Sequence, residues 1–172
     1  MKLYFKKRDF GIIDEALEIA EDLTANFYKF STTQWKKRHK YDVRTLISLK
    51  KYQITDKAFA VIYQDKIKDL SCVPQKIENV YLICLQDHLI LRAILEDKNL
   101  SLLPFLVYIL THELVHIVRF CNFYQSFYSE DKEKEEEIVD SITFEILKSV
   151  KLPRLSYVLE MYAKGGEGYA SI

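Results

Sequence analysis

Cysteine is scarce in this chain, and what there is does not pair. Cys72, Cys84 and Cys121 are scattered and odd in number. That argues against a disulfide framework and reads as reduced thiols in a cytoplasmic protein. No CxxC occurs, so a cysteine-built zinc site is not expected. Net charge is missing too: 25 Lys and Arg balance 25 Asp and Glu, which removes any global pull toward nucleic acid or membrane. Long hydrophobic runs are absent. The longest uncharged apolar stretch, Leu102 to Leu110, falls far short of the roughly 20 residues that span a bilayer. The opening MKLYFKKRDFG lacks the apolar core of a secretory signal. There is no internal repeat, and the one biased tract is the acidic SEDKEKEEE at 129–137.

What is present describes an ordinary globular protein: 172 residues, 49% apolar and 29% charged. Such a chain is read as one domain, 1–172, able to bury about 70% of its unfolded surface. Charge is unevenly spread. Residues 1–70 hold fifteen Lys and Arg against ten Asp and Glu, and residues 71–172 hold ten against fifteen. The expected organisation is a helical, mildly basic half over about 1–70, a second half over about 78–152, and a flexible tail over about 163–172.

Residues 12–28 place Ile13, Ala16, Leu17, Ala20, Leu23 and Phe27 on one stripe and Asp14, Glu15, Glu18 and Asp22 on the other side, as an amphipathic helix requires. YDVRTLISLKKY (41–52) and TDKAFAVIYQDKI (55–67) also read as helices, with Asp42 and Thr55 or Asp56 as N-caps. SCVPQKIE is an irregular link before NVYLICL (79–85), a strand by its β-branched and aromatic residues. A helix over 87–99 capped by Asp87, a long helix from about Ser101 to Phe120 with Pro104 in its first turn, and a final helix over Glu133–Val150 complete the reading. The fold class is α+β, mostly helical with a small sheet.

One stretch does not fit a plain core helix. THELVHIVRF (111–120) sets His112, Glu113 and His116 inside an oily segment. Residues four apart on a helix differ by about 40° around the axis, so His112 and His116 share a face and can grip one metal ion. In an HExxH motif the two imidazoles bind zinc and the glutamate activates the metal-bound water. Zinc lowers that water's pKa toward ~7, and the carboxylate takes its proton and later passes it to the leaving amine. Unpaired charges in so apolar a helix cost several kcal/mol, roughly, and a metal that needs these groups resolves the cost.

A catalytic zinc site has three protein ligands and an open position. His39 and His88 stand at no telling spacing, whereas EEEIVDSITF (135–144) contains Glu136-x-x-x-Asp140, beginning twenty residues beyond His116. On these motifs, over residues 111–140, the sequence resembles the gluzincin zinc metallopeptidases, the thermolysin-like group and its small single-domain relatives. The resemblance implies a zincin core whose small sheet packs on the HExxH helix, and a cytoplasmic zinc-dependent peptidase. His112, His116 and Glu136 would be the ligands, Glu113 the general base and acid, and Asp140 the partner that orients His112. It also implies that NVYLICL is the edge strand that pairs with an extended peptide. The chain lacks the long C-terminal domain of the larger members, and only by position are Tyr157, Tyr162 and Tyr169 candidates for stabilising the oxyanion. The metzincin extension is absent, because Arg119 and Asn122 stand where that pattern needs Gly and His. Helical phase leaves a choice open: the stripe Ile138, Val139, Ile142, Ile146 centres nearest Glu135, with Glu136 on its flank. Asp140, one turn after Glu136, tips the choice to Glu136.

Two other functions compete. Glu113-x-x-His116 is also the spacing of di-iron carboxylate bundles, but those need a second copy, which the sequence lacks. A gluzincin-like core could instead be a non-enzymatic module that binds a partner or nucleic acid through the Lys-rich N-terminal half. There TQWKKRHKY (33–41) interleaves Trp35 and Tyr41 with Lys36, Lys37, Arg38 and Lys40. A solvated face is the commoner meaning of such a run, so nucleic acid is not an expected partner; the expected one is a peptide or protein substrate.

Overall fold

In a computed structural model of the chain, residues 2–69, 76–122 and 131–163 are described. Cys72, Tyr169, most of the SCVPQKIE link, the start of the acidic tract and the tail beyond Ala163 lie outside them. The fold is α+β and mostly helical, as expected, with one three-stranded sheet.

Helix α1 (Lys7–Phe27) opens with the backbone N–H of Lys6 bonded to the Asp9 carboxylate at 2.7 Å. It buries Ile13, Ala16 and Ala20 along the expected stripe. Thr24 continues the stripe, its hydroxyl bonded to the Ala20 carbonyl. Phe27, expected on the same face, is instead exposed in the last turn and rests edge-on against Tyr28. Helix α2 (Thr32–Arg38) follows a capping box in which Ser31 Oγ accepts from Gln34 N–H and Gln34 Oε1 accepts from Ser31 N–H.

The two helices expected over 41–52 and 55–67 do not form. Strand β1 (Tyr41–Arg44), two short 3₁₀ turns at Leu46–Ser48 and Lys51–Gln53, and strand β2 (Ala60–Asp69) take their place. The basic half is therefore not all helical. Asp42 lies inside a strand, and Thr55 and Asp56 precede one; none caps a helix. The cause is long-range pairing. Val61, Ile62 and Tyr63 set their backbones against Cys84, Ile83 and Leu82 of strand β3 (Lys76–Leu85). β-branched and aromatic residues gain more from such a half-buried sheet than from an isolated amphipathic helix. The sheet order is β1-β3-β2, with β1 parallel and β2 antiparallel to β3. NVYLICL is a strand as expected, but a central one. Over Tyr81–Cys84 both its edges are occupied, so that stretch cannot pair with a further peptide, and β2 presents the long outer edge.

Helix α3 (Asp87–Glu96) is preceded by Gln86 in the capping position. Asp87 is not the cap. It is buried, and its carboxylate accepts N–H bonds from Phe5 at 3.0 Å and Leu46 at 2.9 Å, tying the N-terminal segment and the first 3₁₀ turn to α3. Helix α4 (Leu102–Cys121) starts after Ser101 with Pro104 in its first turn, and is buried without a break from Pro104 to Val118. Its length and composition would suit a membrane span, but here most of it is enclosed by the fold. Helix α1 packs along it, and Phe59 and Tyr81 from the sheet side meet its Phe105 and Phe120 rings. Helix α5 (Lys132–Leu147) is capped by Asp131, whose side chain accepts from Lys134 N–H. It ends three residues before the expected boundary. A further helix, α6 (Leu155–Tyr162), was not expected; it follows Pro153 and Arg154, the latter in the left-handed region at φ 66°.

Candidate metal centre

Helix α4 carries Tyr108, His112, His116 and Phe120 at intervals of four, one ladder along one face. Tyr108 stands 6.5 Å from the His112 ring, the two imidazoles are 4.9 Å apart and edge-on, and Phe120 stacks on His116 at 5.8 Å. Aromatic neighbours above and below limit the rotamers of both imidazoles. Sequence reasoning missed Tyr108 and Phe120, although the four-residue spacing was there to find.

Across from this ladder α5 presents Glu136. Its Oε2 lies 3.2 Å from His112 Nε2 and its Oε1 lies 2.8 Å from His116 Nε2. One ligand atom from each of His112, His116 and Glu136 lies within 4.8 Å of the others, the only such group among the described residues. Asp140, one turn later on α5, holds its Oδ1 3.2 Å from the opposite nitrogen of His112. Glu135 faces elsewhere. It is buried and forms a two-bond pair with Arg119, Nε to Oε1 at 2.5 Å and Nη2 to Oε2 at 3.0 Å. Glu137 is exposed. Of the three adjacent glutamates, one meets the imidazoles, one meets Arg119 and one meets solvent.

The electrostatics follow from burial against pairing. Burial pushes Glu136 upward, but its contacts with His112 and His116 outweigh this and hold the carboxyl well below the usual range. Burial alone would depress His112; contacts with Asp140 and Glu136, and the charge of Glu113, raise it instead to about 10. For His116 burial prevails and the pKa is lowered, despite Glu136. Glu113 is fully buried, and desolvation, reinforced by the charges of Glu136 and Asp140, lifts it to about 8, with His112 opposing. A pKa near neutrality is what a group that both takes and returns a proton needs.

The donor set could hold a metal ion, and zinc is one that takes such ligands. Two imidazole nitrogens and a carboxylate are its usual ligands, and tetrahedral ligands at ~2.0–2.2 Å stand roughly 3.4 Å apart. The two imidazole–carboxylate separations, 3.2 and 2.8 Å, are shorter than that spacing, so Glu136 would draw back by a few tenths of an ångström to share an ion with the imidazoles. The other sequence candidates fall elsewhere. His39 is buried at the end of α2, bonded to the Trp35 carbonyl and Asn122, and His88 bonds Asp56. Tyr157 donates to Asp97 at 2.6 Å. Tyr162 packs among Phe59, Phe105 and Tyr108. In the basic segment Trp35 is buried and donates to Tyr41 Oη, so it offers no face for a base to stack on.

No family model matches this chain, and neither a curated protein nor a solved structure is detectably similar to it.

Proposed function

We propose that the chain is a zinc-dependent peptidase of gluzincin type, with His112, His116 and Glu136 as ligands and Glu113 as general base and acid. One observation carries the reading: two helices, with no contribution from sequence neighbours, bring an HExxH pair and a distant Glu into a single cluster, with Asp140 behind His112. The order of elements supports it as well. A long packing helix and a small sheet precede the HExxH helix, and a glutamate helix follows it, consistent with the zincin core that the resemblance implies.

Zinc at that position would supply an acidified water and a Lewis acid for the scissile carbonyl. The chain's own residues do the rest. Asp140, its Oδ1 3.2 Å from His112 Nδ1, favours the proton on that nitrogen and so leaves Nε2 as the ligating one. Phe120 and Tyr108 hold the imidazole planes. Glu113 takes the attacking water's proton and delivers it to the departing amine. An extended peptide would add along the free edge of β2, taking the part expected of NVYLICL. A di-iron centre needs a second Glu-x-x-His cluster, and the described residues hold one metal group.

Metal analysis by mass spectrometry, followed by a broad peptide library, tests the reading. One zinc per chain, lost in His112→Ala and His116→Ala, and chelator-sensitive cleavage are expected. Two irons per chain, or zinc retained in both variants, overturns the site. Zinc without cleavage of any peptide overturns the peptidase and leaves a non-enzymatic metal module.

A further inference from the structure

The Arg119–Glu135 pair does something that core packing does not. Along α5, Glu135 is the sole buried residue between Lys132 and Ile138; the first apolar residue fully inside is Val139. The turn that carries Glu136 therefore has no apolar anchor of its own. Beside the contacts of Glu136 itself with the two imidazoles, what ties it to α4 is the two-bond contact from Arg119, three residues beyond His116, to the neighbour of Glu136. A guanidinium meeting a carboxylate through two parallel bonds fixes direction as well as distance. Direction matters here. Side-chain ends lie ~5–6 Å from a helix axis, so a 10° rotation of α5 would carry the Glu136 carboxylate about 1 Å, against a metal-ligand tolerance of ~0.2 Å.

The geometry points to Arg119 as a positioning residue: by clamping Glu135 it sets the rotation of α5 that turns Glu136, and not Glu135, toward His112 and His116. The pair has a second consequence. It occupies both oxygens of the carboxylate nearest the centre of the buried stripe, which would otherwise compete for the metal. This rests on the metal site proposed above.

The test is equilibrium zinc affinity, by competition with a chromophoric chelator, alongside thermal stability. Arg119→Met should weaken zinc by about 10–100-fold, the range seen when a group supporting a metal ligand is removed. Arg119→Lys, which keeps the charge but loses the fork, should recover only part. Arg119→Met alone leaves Glu135 buried and unpaired and can fail to fold, so the decisive variant is Arg119→Met with Glu135→Met. That double variant removes both charges and should melt near the parent. Zinc affinity still lowered about 10–100-fold supports a positioning role. Parental affinity in the double variant overturns it, since the pair would then matter only for stability. Glu136→Ala separates the two readings. If it loses zinc while the clamp variants keep it, only this inference fails; if it keeps zinc, the ligand assignment fails and the inference with it.

Discussion

Glu136→Ala is the sharpest single perturbation of the site, and its size can be worked out in advance. The substitution removes the one carboxylate that lies 3.2 Å from His112 and 2.8 Å from His116. Losing a direct ligand should cost at least the upper end of what loss of a supporting residue costs, so at least ~100-fold in zinc affinity. Suppose zinc is added at 100 times the parent's Kd. Ligand linkage then stabilises the parent by about 2.7 kcal/mol, and a variant with 100-fold weaker affinity by about 0.4 kcal/mol. The difference, about 2.3 kcal/mol, corresponds to roughly 5–9 °C in Tm for a chain of this size. The assay is thermal denaturation of chelator-treated protein with and without zinc, reading the zinc-induced shift within each variant rather than Tm between variants. Any intrinsic effect on the fold then cancels. Glu137→Ala, at an exposed position one residue away, is the control and should keep the full shift. A Glu136→Ala chain that retains the parent's zinc-induced shift refutes the assignment.

Glu113→Gln should keep the metal and lose at least ~10²–10⁴-fold in peptide hydrolysis, because an amide preserves the shape but cannot accept a proton; cleavage at the parental rate in that variant removes Glu113 from the mechanism. Asp140→Ala should weaken zinc about 10–100-fold with the three ligands still in place, and unchanged affinity would mean that the 3.2 Å contact with His112 does not orient the ring. In chelator-treated protein, stability should fall as pH rises from about 6.5 to 8, by up to ~1.4 kcal/mol per pH unit for each group that holds a proton in the fold but releases it when unfolded. Glu113, raised to about 8, and His112, raised to about 10, both have that sign, so Glu113→Gln should make the decline shallower in urea titrations across this window; an unchanged slope counts against the burial of that carboxyl.

The clustering of His112, His116 and Glu136 was more legible than the sheet, and for a physical reason. HExxH is a local pattern whose meaning depends only on helical phase, and 3.6 residues per turn puts His112 and His116 together whatever the rest of the chain does. Glu136 was harder, because its role depends on how a second helix is rotated. Phase along α5 pointed to Glu135, and Glu135 does occupy the buried centre of the stripe. What the phase could not show is that Arg119, noted only as a mismatch to another zinc motif, is the partner that the centre requires.

The misread helices at 41–52 and 55–67 have the same origin at larger scale. Tyr41–Arg44 and Ala60–Asp69 become strands through pairing with Lys76–Leu85, and a partner up to forty residues away leaves no trace in local periodicity. Local signals were present elsewhere and passed over: Ser31 and Gln34 spell a capping box before α2, and Tyr108 and Phe120 extend the histidine ladder by one step at each end.

The arrangement of α4 gives a reason for so much burial around ionisable groups. His112 and Glu113 are fully enclosed, and the Glu136 side chain, 23% exposed, is the more open member of the metal group. Enclosure lowers the local dielectric, which strengthens the pull of Glu136 and Asp140 on the imidazoles and raises the Glu113 pKa toward neutrality. The apolar run that first made three ionisable groups look misplaced therefore shifts each of them: burial raises Glu113, lowers His116 and is outweighed at His112 by its carboxylate neighbours. An exposed HExxH with the same spacing would keep Glu113 near an ordinary carboxylate pKa. On the proposed reading, the residues that pack α4 against α1 and the sheet also tune the group that would move the proton.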